Sequence, residues 1–121
     1  MPTPARSTRT PVSHLLAHAA GAALLVNAVP HGVHGLSGRR FQSPFGQPPG
    51  VGESSPETNV VWSGANAVAG AALLFGVGRF RFGANADTVV AISSAWAAGI
   101  AIARYFAGVH AGERGPVTAD A

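Results

Sequence analysis

Three stretches of this chain are too long and too poorly charged to fold in contact with water. Between Arg9 and Arg39 there is no Asp, Glu or Arg, and Leu15 to Val29 is almost continuously apolar. From Thr58 to Gly78 no residue is charged, and from Thr88 to Gly108 the single charge is Arg104. About 20 apolar residues in a helix cross the hydrocarbon core of a bilayer, where only helices and closed barrels satisfy their own backbone. The pattern predicts an all-α protein, a transmembrane three-helix bundle with spans over about 12–29, 58–78 and 88–108. Charged residues are 11% of the chain against roughly 25% in soluble domains, too few to cover a water-facing surface. A chain of 121 residues has room for one domain, here expected over 12–110 between flexible ends at 1–11 and 111–121.

Breakers set the expected boundaries. Pro30 lacks an amide hydrogen and Gly32 adds backbone freedom, so the first helix is expected to stop near Val29. Arg79 and Arg81 close the second span. Arg104 lies four residues before Gly108, about 6 Å from that expected end, so its guanidinium can reach the headgroups alongside Tyr105 and Phe106. Residues 38–56 are dense in Pro and Gly and show no helix or strand period. They cannot satisfy their backbone in lipid, so a long Pro/Gly-rich loop, 30–57, is expected at a surface, pinned by Phe41 and Phe45.

All eight basic residues are Arg, and with abundant Ala and Gly this suits a GC-rich bacterial genome, hence a bacterial plasma membrane. The Arg pairs are too scattered to line a nucleic-acid groove. Arg6, Arg9, Arg79 and Arg81 would lie on one side of the bilayer and Arg39, Arg40, Arg104 and Arg114 on the other. That tie leaves the first span to set a cytoplasmic N-terminus. Arg6 and Arg9, Leu15 to Val26 and then Val26-Asn27-Ala28 also fit a cleavable secretory signal. Without Cys there can be no disulfide, thiolate metal site or Cys nucleophile.

Along the second span Asn59, Ser63, Asn66 and Gly70 recur at steps of four, three and four, which puts them on one helix face. Small and amide residues let membrane helices approach and hydrogen-bond, so these residues and Asn27 are read as helix-packing positions. Ser93, Ala97 and Ile100 offer a matching face on the third span, and Ala95 with Gly99 gives a small-xxx-small pair. The five histidines include His14/His18 at i, i+4 and His31/His34 at i, i+3, spacings that can present two imidazoles on one side of a helix. His18, His31, His34 and His110 are therefore the candidates for a cofactor or small ligand. Gly32 and Gly35 interrupt the second pair, and no Asp, Glu or Cys nearby completes a metal shell, so neither a metal nor a cofactor is expected. The carboxylates Glu53, Glu57, Asp87, Glu113 and Asp120 all fall outside the expected spans. No catalytic residues are assigned, and enzyme action is disfavoured.

Asn27-x-x-Pro30-His31-x-x-His34-Gly35, then Ser43-Pro-Phe-Gly46, Pro48-Pro-Gly50-x-Gly52-x-Ser54-Ser-Pro56, Asn59-x-x-Trp62 and Asn66 resemble a family of small bacterial integral membrane proteins with no assigned function. The resemblance covers roughly residues 25 to 70, implies three or four spans with a patterned first loop, and brings no site residues with it. Two functions follow as expectations. One is a non-catalytic accessory or assembly protein, partnered by the bilayer and by other membrane proteins or itself. The other is a His-based membrane redox or small-ligand-binding protein.

Overall fold

The computed structural model describes residues 1–3 and 9–113. The expectation of flexible ends falls partly on residues 4–8 and 114–121, which lie outside the described residues. Three helices account for most of the chain: α1 (Val12–Leu36), α2 (Pro56–Phe75) and α3 (Ala86–Glu113). All three are long and apolar enough to cross a membrane. Between α1 and α2, two short strands, β1 (Phe41–Gln42) and β2 (Glu53–Ser54), pair antiparallel with Phe41 opposite Ser54 and Gln42 opposite Glu53. The period-free reading of 38–56 missed this pairing, because two-residue strands are too short to leave a pattern.

α1 does not end at Val29. It runs through Pro30 to Leu36, so the breaker reading set the boundary too early. Pro30 removes only the hydrogen bond to the Val26 carbonyl, and inside lipid the helix is the cheapest way to satisfy the remaining groups. Neighbouring side chains assist. Ser63 Oγ donates to the Ala28 carbonyl at 2.7 Å, and His34 Nδ1 donates to the Pro30 carbonyl at 2.8 Å. α2 starts where Ser55 accepts the Thr58 amide at 3.1 Å with Pro56 following, an N-cap with Pro at the first helical position.

α1 packs against both α2 and α3, whereas α2 and α3 barely meet each other. The α1–α2 contact is set by Gly21 and Gly70. A Cβ built on Gly21 would lie 2.6 Å from the Gly70 carbonyl oxygen, and one on Gly70 2.8 Å from that of Gly21, so the two backbones touch with no room for a side chain. On α3 it is Ala91, Ala95 and Gly99 that approach α1, with Ala91 buried, Ala95 against the Ala22/Leu74 cluster and Gly99 facing Val26. Ser93, Ala97 and Ile100 are exposed. Of the two patterns expected on α3, the Ala95/Gly99 pair meets α1 and the Ser93 face does not: two residues along a helix is about 200° of turn, which carries Ser93 to the far side from Ala91 and Ala95.

The distribution of polarity is inverted relative to a water-soluble protein. The buried set holds His18, His31, Asn59, Asn66 and Asp87, while Val12, Leu16, Val61, Val68, Ile92 and Trp96 are exposed. In water, apolar patches of this extent would be costly. Against lipid tails the same side chains lose nothing, and it is the polar groups that gain by turning inward.

Candidate functional site

At the end of the molecule where α1 finishes and α2 begins, Phe41 is inserted among three of the four histidine candidates. Its ring stacks on His34 at 4.0 Å between centroids, meets His31 edge-on at 5.3 Å and His110 at 6.3 Å, and lies 4.5 Å from Phe106. An arene thus occupies the point on which a metal's ligands would have to converge. Among the described residues no group of three or more His, Asp or Glu is placed to hold an ion. The imidazoles are engaged elsewhere. His31 Nδ1 bonds Asn59 Oδ1 at 2.8 Å, His34 Nδ1 the Pro30 carbonyl, and His110 Nε2 the Gln42 Oε1 at 3.1 Å.

Asn59, 0% exposed, is the hub that joins α1 and α2 to the connecting segment. Its Nδ2 lies 3.1 Å from the carbonyls of Phe41 and Ser55, 3.3 Å from that of Ser54 and 3.1 Å from Ser54 Oγ. The amide therefore fixes β1, β2 and the start of α2 at once, and its oxygen fixes His31. One turn further down α2, Ser63 meets α1 through Ala28. A turn beyond that, Asn66 Oδ1 accepts from Asn27 Nδ2 at 3.0 Å. Gly70 completes this face against Gly21.

Beside this network lies a cavity of about 370 Å³. Asn27 and His31 line it from α1, Trp62 from α2, Tyr105 and Phe106 from α3, and Gln42 with Ser43 from the connecting segment. Tyr105 Oη donates to the Gly50 carbonyl at 2.5 Å and so ties α3 to that segment. It also places its neighbour Arg104, which is exposed, level with the segment although α3 continues to Glu113 rather than ending near Gly108. Among the described residues no charged side chain lines the cavity. Ligand sites commonly have such a volume, with mostly apolar walls and a few convergent polar groups.

The fourth candidate, His18, sits at the opposite end. It is fully buried, its Nε2 donates to the Val77 carbonyl at 2.7 Å, and Phe80 packs edge-on at 5.3 Å. Its Nδ1 faces Asp87 Oδ1 at 3.7 Å, too long for a hydrogen bond, and among the described residues neither atom has another partner. Asp87 Oδ2 accepts the Arg81 amide at 3.1 Å. Asp87 had been expected outside the spans. It is in the first turn of α3 and 1% exposed, because α3 begins at Ala86, two residues before the expected start. With a proton on Nδ1 this is a buried ion pair; without it, two acceptors face each other.

Sequence reading missed Gln42, Ser54 and Asp87. Gln42 and Ser54 carry no periodic signal, since each acts through contacts distant in the chain. Compared with family models, curated proteins and solved structures, the chain shows no match, so geometry alone carries the functional reading.

Proposed function

We propose that this chain is a non-catalytic, three-span integral membrane protein of a bacterial plasma membrane that holds a small uncharged molecule in the chamber under the 37–55 segment. The observation that carries this reading is the chamber itself. All three helices and the segment each contribute wall, the lining is uncharged, and the polar groups around it are held in place by Asn59 and Tyr105. Redox chemistry on a His-ligated metal is not favoured, because Phe41 separates the imidazoles. A retained first span is supported by the packing of α1 against both other helices across the Val26-Asn27-Ala28 pattern.

The test is native mass spectrometry of protein extracted in mild detergent. The native chain is expected to carry a bound molecule that Ala101→Phe, which grows a ring into the lining, loses. Equal occupancy in the two would count against the chamber. A second reading, an accessory or assembly role through other membrane proteins or self-association, is favoured by the outward face of α3, where Ile92 and Trp96 are 62% and 74% exposed. A co-purifying polypeptide with an empty chamber is the result that selects it.

We also propose that the N-terminus is cytoplasmic and the 37–55 segment faces outward as a cover over the helix ends. Since the chain has no Cys, single thiols can report this. Ser37→Cys, at an exposed position, is expected to react with an impermeant maleimide on intact cells, and Ala84→Cys only after permeabilisation. The reverse pattern would invert the topology.

A further inference from the structure

The chamber's hydrogen-bonding polarity is fixed from outside it, and this specifies what it can bind. At Asn66, Nδ2 lies 2.9 Å from the Trp62 carbonyl, which can only accept. That contact identifies the amide nitrogen and leaves Asn66 Oδ1 as the acceptor toward Asn27. Asn27 must then present its nitrogen to Asn66, and its Oδ1 has no partner among the described residues. The same logic applies one turn along α1. Asn59 Nδ2 is identified by the three backbone carbonyls around it, so Asn59 Oδ1 is the atom facing His31. In the neutral ring His31 Nδ1 therefore carries the hydrogen and Nε2 the lone pair. Nε2 also has no hydrogen-bond partner among the described residues, although His31 is only 3% exposed.

Asn27 and His31 are four residues apart on α1 and so project from one face, into the same cavity. Two unpartnered acceptors on one face, Asn27 half-buried and His31 buried, select a donor. An anion would meet lone pairs, and a cation would find no carboxylate in the lining to offset its desolvation. A ketone or quinone offers a third acceptor. The walls add shape, because Trp62, Tyr105 and Phe106 bring three aromatic rings to the cavity. A cavity of about 150 Å³ already takes benzene, so about 370 Å³ admits a substituted ring. The side between α2 and α3 is not closed by helix contact, which leaves a route from the lipid phase.

We propose that the chamber binds an uncharged aromatic ring bearing a hydroxyl, of the phenol or hydroquinone class, whose O–H donates to His31 Nε2 with Asn27 Oδ1 as the second acceptor. The hydroxyl oxygen can at the same time accept from the Trp62 indole, which shares the lining. This deepens the ligand-binding reading above and rests on it. The ligand can be a free phenol or the headgroup of a membrane-dissolved hydroquinone, since the recognised chemistry is the same.

The test varies the ligand and changes only the tryptophans that report on it. Of the two tryptophans, Trp62 lines the chamber and Trp96 faces outward. In nanodiscs, Trp96→Phe leaves Trp62 as sole reporter, and Trp62→Phe leaves Trp96 to report partition into lipid alone. Saturable quenching of Trp62 by 4-bromophenol is expected, with at least tenfold weaker binding of 4-bromoanisole, 4-bromobenzoate and 4-bromobenzylamine. Geranyl hydroquinone placed in the disc would displace the phenol if the source is the membrane; a free-phenol site would not yield to it. Anisole binding as tightly as phenol overturns the hydroxyl assignment and leaves the ligand-binding reading intact, and tighter benzylamine binding overturns it in favour of a cation. If no probe quenches saturably, native protein that carries a bound molecule sinks the class alone, and native protein that arrives empty sinks both.

Discussion

Asn59→Leu is expected to destabilise the purified protein by about 3 kcal/mol or more and to loosen the segment between α1 and α2. Leucine nearly conserves volume, so the cost comes from hydrogen bonding rather than from a cavity. The substitution strands the His31 Nδ1 hydrogen and takes a donor from the carbonyls of Phe41 and Ser54; the Ser55 carbonyl keeps the backbone amide of residue 59. Each buried polar group left unpaired costs about 1–3 kcal/mol, while a single interhelical bond in a membrane averages nearer 0.6. The larger figure applies here because several groups lose their partner together. Thermal unfolding in detergent measures the loss. Trypsin cleavage at the exposed Arg39 and Arg40 measures the loosening. Asn59→Asp keeps the acceptor for His31 but not the donors, and should behave almost as badly. If Asn59→Leu melts with the native chain and is cut no faster, the hub does not hold the segment.

The second large effect is steric. Gly21→Val and Gly70→Val are each expected to separate α1 from α2. A Cβ at Gly21 would fall 2.6 Å from the Gly70 carbonyl oxygen and 2.8 Å from the Leu74 nitrogen, and one at Gly70 would fall 3.0 Å from the Leu25 nitrogen. These neighbours are backbone atoms, so no rotamer change relieves the clash. The loss should exceed the about 1–3 kcal/mol of ordinary overpacking, which side chains can share. Gly64→Val is the control, because nothing lies within 4 Å of its Cβ position. Unfolding in sodium dodecyl sulfate should rank Gly64→Val near the native chain and the other two far below. Equal resistance of all three variants would mean that backbone contact is not what joins the pair.

The three apolar helices could be read from sequence because membrane solvation acts on every residue in a span, and missing charges are visible without tertiary information. The α2 face was visible for a related reason: Asn59, Ser63, Asn66 and Gly70 stand out chemically against Val and Ala, so their spacing could be counted. α3 offers no such contrast. Its contact residues are Ala91, Ala95 and Gly99 among many other small residues, and nothing in composition distinguishes that phase from the one through Ser93. The end of α1 was misjudged because local rules weigh Pro30 alone, while Ser63 donates across to Ala28 from a position 35 residues away. Of the site, the histidines were legible as candidates and Asn27 and Asn59 only as packing positions. That Phe41 would come between them, that Asn59 would set a tautomer and that His18 would lie at the other end with Asp87 all depend on contacts distant in the chain.

The order in which the chain is made bears on its assembly. The helix that touches both others also precedes them in the chain, so in a bilayer it would be in place before each later helix arrives. Neither latecomer has to find the other. Each docks on a single surface, and the gap left between the two is what would open the chamber sideways to lipid.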